Sequence, residues 1–359
     1  MKIYCFKRYI RKKRIDGQQS DIFSIVKGVG IILMVIGHAN SPFHDFIYLF
    51  HMPLFFMISG FFFNPNKIYT KKAFFFKRLN RLYIPFVFWN ILFLFLHNIL
   101  YKYGIYSTQY IGSEEYILRI AKIFLFTDAE PILAPLWFLK SLFIGNISVL
   151  FVFFVTSRLK LEENIQRMLR LVIFIFALLV GFIIKKFEGH FFYDLHRELI
   201  TMFLVYLGFM LAKCQKSFLL PNFMLLIVCF LVLCVCSQFF TFEFAAAIIV
   251  NPIIMIMISI LGFYMIYTFS SYIQRIKILS SVLIYVGKHT MPILILHLFA
   301  FKMLSLILDG NWGLHTMDGH FIKYVGDYWW SWILFSLVGV AFPISCIWLY
   351  KQVKCLIRF

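Results

Sequence analysis

Ten long apolar runs constrain this chain more than any other feature of its sequence. They cover residues 22–40, 46–63, 82–101, 134–155, 168–185, 197–212, 220–238, 247–268, 289–308 and 330–350. A helix crosses the hydrocarbon core of a bilayer in about 20 residues, which matches these lengths. Of the 359 residues, 62% are hydrophobic and 14% are charged, and the mean hydropathy is +0.85. We therefore expect an all-α polytopic membrane protein with about ten transmembrane helices.

The basic residues predict how these helices are oriented. If the basic tail at residues 1–20 is cytosolic and the helices alternate, 25 of the 35 Lys and Arg residues lie on the cytosolic side. Seven lie in outer loops, and Lys27, Lys140 and Lys302 lie within spans. This asymmetry follows the positive-inside rule, so we expect both termini in the cytosol. Topology also accounts for the net charge of +19, and we expect no nucleic-acid partner.

The domain organisation that follows is simple. A basic cytosolic tail covers residues 1–20, one transmembrane domain covers residues 21–353, and a short cytosolic tail covers residues 354–359. We expect no signal peptide, because the basic start is followed by a polar stretch and then by a span that is retained.

Neither cysteine nor histidine content predicts a structural cross-link or a metal centre. None of the seven cysteines falls in an expected outer loop, so we expect no disulfide framework. The last outer loop holds four potential metal ligands, His315, Asp318, His320 and Asp327. Their spacing fits no strong zinc pattern, and we expect no metal site.

Three ionisable residues in the first two apolar runs are the strongest functional candidates. Lys27 and His38 are eleven residues apart, almost three helical turns, so both lie on one helix face, roughly 16 Å apart along the axis. His51 follows early in the second run, at a depth similar to His38 if the runs form a hairpin. Ionisable groups inside a membrane are costly, which favours a functional role. Packing or snorkelling to the interface remains the alternative for each of them.

Other candidates lie near the ends of later runs. Arg78 and Arg81 stand three residues apart in the most basic inner loop, which fits either topology or a cytosolic anion site. Trp137 begins the fourth run, where an interfacial anchor is the alternative to a binding role. His297 lies deep in the ninth run and needs a polar partner there.

The outer loops offer two further features. The loop from Tyr101 to Pro135 is long enough for a lid or binding segment, with an amphipathic helix expected near Glu115–Phe126. Four charged or ionisable side chains gather at the start of the sixth run, Asp194, His196, Arg197 and Glu198. For this cluster we favour a solvated interface over an acceptor entrance.

Several segments, in this order, resemble the acyltransferase-3 family of integral membrane acyltransferases. The first two runs carry a basic residue at Lys27, ten intervening residues and His38, and then the segment from Phe50-His51-Met52-Pro53 to Ser59-Gly60-Phe61. Later matches are Lys77-Arg78-Leu79-Asn80-Arg81-Leu82 to Pro85, Leu136-Trp137-Phe138-Leu139, and Gly287-Lys288-His289-Thr290 to His297. The family usually has Arg where this chain has Lys27, which keeps the charge but loses bidentate geometry. Some members also carry an extracellular hydrolase-like domain. Because this chain ends at Phe359, we expect a stand-alone transmembrane module.

The resemblance implies a reaction and a set of partners. The reaction is transfer of an acyl group, commonly acetyl from acetyl-CoA, to a hydroxyl of an envelope glycan or lipid-linked sugar. Acyl-CoA would be a donor substrate rather than a permanently bound cofactor. The other partners would be the bilayer of the cell inner membrane and glycan-synthesis machinery.

The resemblance also assigns roles to the candidates. His38 is expected to be the general base, although an acyl-histidine intermediate is an alternative. His51 is expected to orient His38 or stabilise an oxyanion, and Lys27, Arg78 and Arg81 to hold the donor phosphates. Trp137 and His297 are expected to bind substrate.

Two other functions compete with an acyltransferase. One is export of glycan intermediates without chemistry, in which the intramembrane His and Lys residues line a pathway. The absence of an internal repeat between the halves of the sequence argues against it. The other is a scaffold subunit of a glycan-synthesis complex.

Overall fold

The computed structural model describes residues 2–64, 71–106, 110–186, 194–214, 219–245, 251–309 and 328–357. The helices are α1 Lys2–His38, α2 His44–Tyr48, α3 His51–Phe61, α4 Lys71–Arg78, α5 Ile84–Lys102, α6 Ser113–Phe124, α7 Trp137–Arg158, α8 Glu163–Lys186, α9 Leu195–Lys213, α10 Phe223–Phe239, α11 Pro252–Ile273, α12 Lys277–Lys288, α13 Thr290–Asp309 and α14 Ser331–Ile357. A π-helical turn, Leu79–Tyr83, joins α4 to α5, and a 3₁₀ helix, Pro131–Leu136, precedes α7. The potential metal ligands at positions 315–327 lie outside the described residues.

The expected all-α polytopic architecture is confirmed. Within the described residues, eight helices are long and apolar enough to cross a membrane. They correspond to eight of the ten expected runs. The run at 220–238 forms the shorter α10, and the run at 46–63 is divided between α2 and α3. The helix expected near Glu115–Phe126 is present as α6.

Pro53 explains why the second run is divided. A proline inside a helix has no N–H to donate to the carbonyl four residues earlier, and its ring clashes with that carbonyl. Here that carbonyl belongs to Leu49, the residue that follows α2. The chain breaks at Leu49 and Phe50, and Pro53 then falls in the first turn of α3, where it is tolerated.

Glycine allows the inner helices to approach each other closely. The central pairs are α3 with α9 and α1 with α12. A Cβ at Gly60 would overlap the carbonyl oxygen of Val205, and one at Gly208 would overlap that of Met57. A Cβ at Gly28 would likewise overlap the carbonyl oxygen of Leu283, and one at Gly287 would overlap that of Ser24. Backbone therefore packs on backbone at both crossings. By contrast, α8 and α14 bury only a small part of their surfaces.

Replacing Gly60 by Ala tests the first crossing. The methyl group meets a backbone carbonyl that cannot rotate away, so we expect overpacking to cost about 1–3 kcal/mol and to lower the melting temperature in detergent. Gly30→Ala is the matched control, since its Cβ would lie 3.1 Å from the ends of the Leu54 and Phe55 side chains, which can move. Equal melting temperatures for the two variants would contradict this account.

Candidate functional site

One cavity of about 1080 Å³ brings most of the candidate residues together. Its wall includes six of the seven residues expected to form the site, Lys27, His38, His51, Arg78, Arg81 and Trp137. The seventh, His297, is buried beside His38, with the two ring centres 5.2 Å apart. Residues up to 267 positions apart in sequence, counting from Lys27 to Leu294, therefore line one cavity.

His38 is the last residue of α1, and its position depends on how that helix ends. Two residues later Asn40 adopts φ 54°, a left-handed conformation that asparagine tolerates better than most residues. The chain then reverses into α2. This reversal brings Tyr48 to His38, and the phenol oxygen lies 3.2 Å from His38 Nδ1.

The other two histidines are held by backbone carbonyls. His51 Nδ1 lies 3.0 Å from the carbonyl oxygen of Ile47. His297 Nδ1 lies 2.9 Å from that of Ile293 and 3.0 Å from that of Leu294. A carbonyl only accepts hydrogen bonds, so Nδ1 carries the hydrogen in both rings and Nε2 has a free lone pair. Among the described residues, His297 Nε2 is buried without a hydrogen-bond partner.

A group of cations occupies the part of the cavity towards Lys27. Arg78 ends α4 and Arg81 lies in the π-helical turn, an irregularity often found at functional sites. Both side chains reach the cavity wall together with Lys77. Arg81 and Lys288 lie within electrostatic range of Lys27. Such a concentration of positive charge suits an anion with several phosphates.

Aromatic rings form another part of the wall. Trp137 and Phe244 stack with ring centres 6.4 Å apart and planes 9° apart. Arg197 also packs against Trp137, with its guanidinium carbon 4.7 Å from the centre of the tryptophan ring. Glu243 adds a carboxylate to the cavity wall next to these rings.

Two members of the cluster at the start of α9 are buried, so the solvated interface expected there is wrong for Arg197 and Glu198, whereas the Asp194 side chain is 43% exposed. Arg197 and Glu198 are each 5% exposed. Arg197 donates to Asp194 Oδ2 at 2.6 Å and to the carbonyl oxygen of Ala245 at 2.9 Å. Glu198 accepts a hydrogen bond of 3.0 Å from Ser141. Ala245 and Ser141 lie 48 and 57 residues away in sequence, which is why the local pattern gave the wrong environment.

A second polar group, absent from the sequence-based candidates, fixes the outer segment. Glu130 is fully buried, with His97 Nδ1 2.9 Å from one carboxylate oxygen and Arg119 Nη2 3.0 Å from the other. Arg119 also donates to Asp128 at 2.8 Å. Burial, with the Glu130 carboxylate nearby, raises the pKa of the Tyr106 phenol. Because His97 belongs to α5 and Arg119 to α6, Glu130 ties the two helices together.

The structure adds functional candidates that sequence reasoning missed. Tyr48, Lys77, Glu243 and Phe244 line the cavity. Tyr48 stands only three residues before His51, so its proximity was a usable signal. The division between α2 and α3, which turns both rings towards the cavity, was not foreseen. Among the described residues, no group of three or more His, Cys, Asp or Glu side chains is placed to hold a metal ion.

Comparison with known families agrees with the fold. The model of the acyltransferase-3 family, described as an acyltransferase domain, matches residues 21–350. Because this match covers most of the chain, the protein belongs to the acyltransferase-3 family and is a multi-pass membrane acyltransferase. Searches of curated proteins and of solved structures gave no match.

Removing the Glu130 carboxylate tests its role in tying α5 to α6. We expect Glu130→Ala to cost about 3–5 kcal/mol, because the buried His97 and the nearly buried Arg119 lose their shared partner. The measurement is thermal unfolding in detergent. Glu163→Ala removes an ion pair with Arg167 on an exposed helix surface and is the matched control, for which no change is expected. Similar melting temperatures for the two variants would show that the buried pair is not stabilising.

Proposed function

We propose that this protein transfers an acyl group, in the first instance acetyl, from cytosolic acyl-CoA to a hydroxyl of an envelope glycan or a lipid-linked sugar in the cell inner membrane. The observation that supports it best is the single cavity, whose wall contains a group of cations, two histidines and an aromatic platform. Family membership supplies the acyl-transfer chemistry. Different parts of the cavity wall suit the donor and the acceptor.

The cations suit the donor. Acyl-CoA carries a diphosphate and a further phosphate, and Arg78 and Arg81 present guanidinium groups that match phosphate geometry. Lys27 contributes a compact positive charge on α1. From Lys27 to His38 the helix rises roughly 16 Å, which is about the length of the pantetheine arm. A donor held by its phosphates near Lys27 therefore places its thioester near His38.

The aromatic wall suits a sugar acceptor. The faces of sugar rings carry C–H groups that pack well on flat aromatic surfaces, and Trp137 offers such a surface, stacked on Phe244 and braced by Arg197. Glu243 provides a carboxylate that accepts hydrogen bonds from hydroxyl groups. Acceptor and thioester then meet at His38.

The reaction requires a base for the acceptor hydroxyl and a proton donor for the departing thiolate, and His38 serves as both. His38 takes the proton of the acceptor hydroxyl as its oxygen attacks the thioester carbonyl carbon. The new C–O bond forms, the C–S bond breaks, and the proton on His38 passes to the departing thiolate to give CoA. His51 also lines the cavity, but its hydrogen is on Nδ1 and its Nε2 has a lone pair, so we assign it the other expected role, orienting His38, through the Tyr48 ring whose centre lies 4.8 Å away.

His38→Ala tests the chemical role. We expect glycans from cells carrying the intact protein to show an acyl mass increment by mass spectrometry, and those from cells with His38→Ala at matched expression to lack it. The loss should be at least 100-fold, because general base catalysis contributes about 10²–10⁴-fold. His51→Ala should retain more activity than His38→Ala.

His289→Ala is the control, since His289 is bonded to the carbonyl of Tyr285 and does not line the cavity. An unchanged acyl increment in His38→Ala would make His38 structural. If glycans are unmodified in all strains while their export is altered, the function would be transport rather than acyl transfer.

Lys27→Gln and Arg81→Gln test the donor site. Hydrogen bonds to charged groups contribute about 1.5–3 kcal/mol, so each change should raise KM for acyl-CoA by about tenfold or more. KM for the acceptor should stay unchanged. The matched control is Lys213→Gln, a cation at the end of α9 that packs on Phe209 outside the cavity. An equal effect on KM from Lys213→Gln would indicate general electrostatics rather than a phosphate site.

A further inference from the structure

Tyr48 occupies the centre of the histidine group. Its phenol oxygen lies 3.2 Å from His38 Nδ1. Its ring centre lies 4.8 Å from that of His51, and it forms part of the cavity wall. Within the hydrogen bonds described for His38, His51 and His297, Tyr48 is the side-chain partner of His38, whereas the other two bond to backbone carbonyls.

Neighbouring residues hold the Tyr48 ring in this position. His44, one turn earlier in α2, stacks on it with ring centres 3.9 Å apart. On the other side the ring packs against α1 at Gly37, where a Cβ would lie 2.9 Å from Tyr48 Cε2. A glycine immediately before His38 therefore leaves the space that the phenol ring needs to approach the imidazole.

We propose that Tyr48 is a positioning residue that fixes the orientation and tautomer of His38. The inference rests on the proposed role of His38 as the base. It assigns the hydrogen on Nδ1 to a bond with the Tyr48 oxygen, so that Nε2 keeps a free lone pair for the acceptor hydroxyl. His38 then has the same tautomer that the backbone carbonyls impose on His51 and His297.

The hydrogen bond between Tyr48 and His38 would assist the acyl transfer. When Nε2 takes the proton of the acceptor hydroxyl, the ring becomes an imidazolium with a hydrogen on each nitrogen. The Tyr48 oxygen accepts the bond from Nδ1–H throughout and strengthens it as positive charge develops. No proton leaves Tyr48 in this sequence of events.

Tyr48→Phe removes the phenol oxygen and keeps the ring between His44 and Gly37. We expect kcat to fall about 10-fold or more, while KM for acyl-CoA and KM for the acceptor change less than about twofold. Tyr206→Phe is the matched control, because Tyr206 is a buried tyrosine stacked on Phe174 away from the cavity, and its kcat should be unchanged. A normal kcat in Tyr48→Phe, or parallel changes in kcat and KM, would overturn the inference.

A second measurement holds even if Tyr48→Phe folds poorly. Fluorotyrosines introduced at position 48 keep the shape of the side chain while making the phenol oxygen a progressively weaker acceptor. We expect kcat to decrease along this series in proportion to phenol acidity, and a flat series would overturn the role of Tyr48.

His38→Ala separates this inference from the function on which it rests. If His38→Ala is inactive and Tyr48→Phe is normal, only the role of Tyr48 fails. If His38→Ala is fully active, both the role of His38 as base and the role of Tyr48 fail.

Discussion

Close contact between helix backbones is the constraint on which this structure depends. In a bilayer the hydrophobic effect does not draw helices together, because lipid tails are as apolar as leucine. Helices associate instead through tight packing at small residues and through polar contacts. The paired glycines Gly60 and Gly208, and Gly28 and Gly287, provide that packing at the two crossings between α3 and α9 and between α1 and α12. At both crossings, each glycine rests on a carbonyl of the opposite helix.

The same short segments provide both packing and cavity wall. Gly28 follows Lys27, Gly60 follows Ser59, and Gly287 precedes Lys288. In a helix, adjacent residues point about 100° apart, so a glycine facing a neighbouring helix leaves the residue beside it free to face elsewhere. Lys27 and Ser59 face the cavity, and Lys288 approaches Lys27. The position of the cations is thus set by where the helices touch.

The sequence predicted the helical class, the candidate cavity residues and their shared location better than it predicted their partners. Apolar run length is a strong signal, so most spans were placed correctly, and Lys27 and His38 were placed on one face by periodicity alone. The division at Pro53 was missed because run length outweighed a single proline. The partners of Arg197, Glu198 and Glu130 were missed because Trp137, Ser141 and His97, respectively, lie tens of residues away. Contacts of that kind follow from the packing of helices, which local patterns do not encode.

The tie between α5 and α6 has a consequence for how freely these two helices can separate. Lifting α6 from α5 would separate Arg119 from Glu130 and expose a carboxylate that is now fully buried. At a cost of about 3–5 kcal/mol, only about one molecule in 160 to one in 5,000 would be open at any moment. We therefore expect the segment from α6 to the start of α7 to stay packed against α5 rather than to open and close.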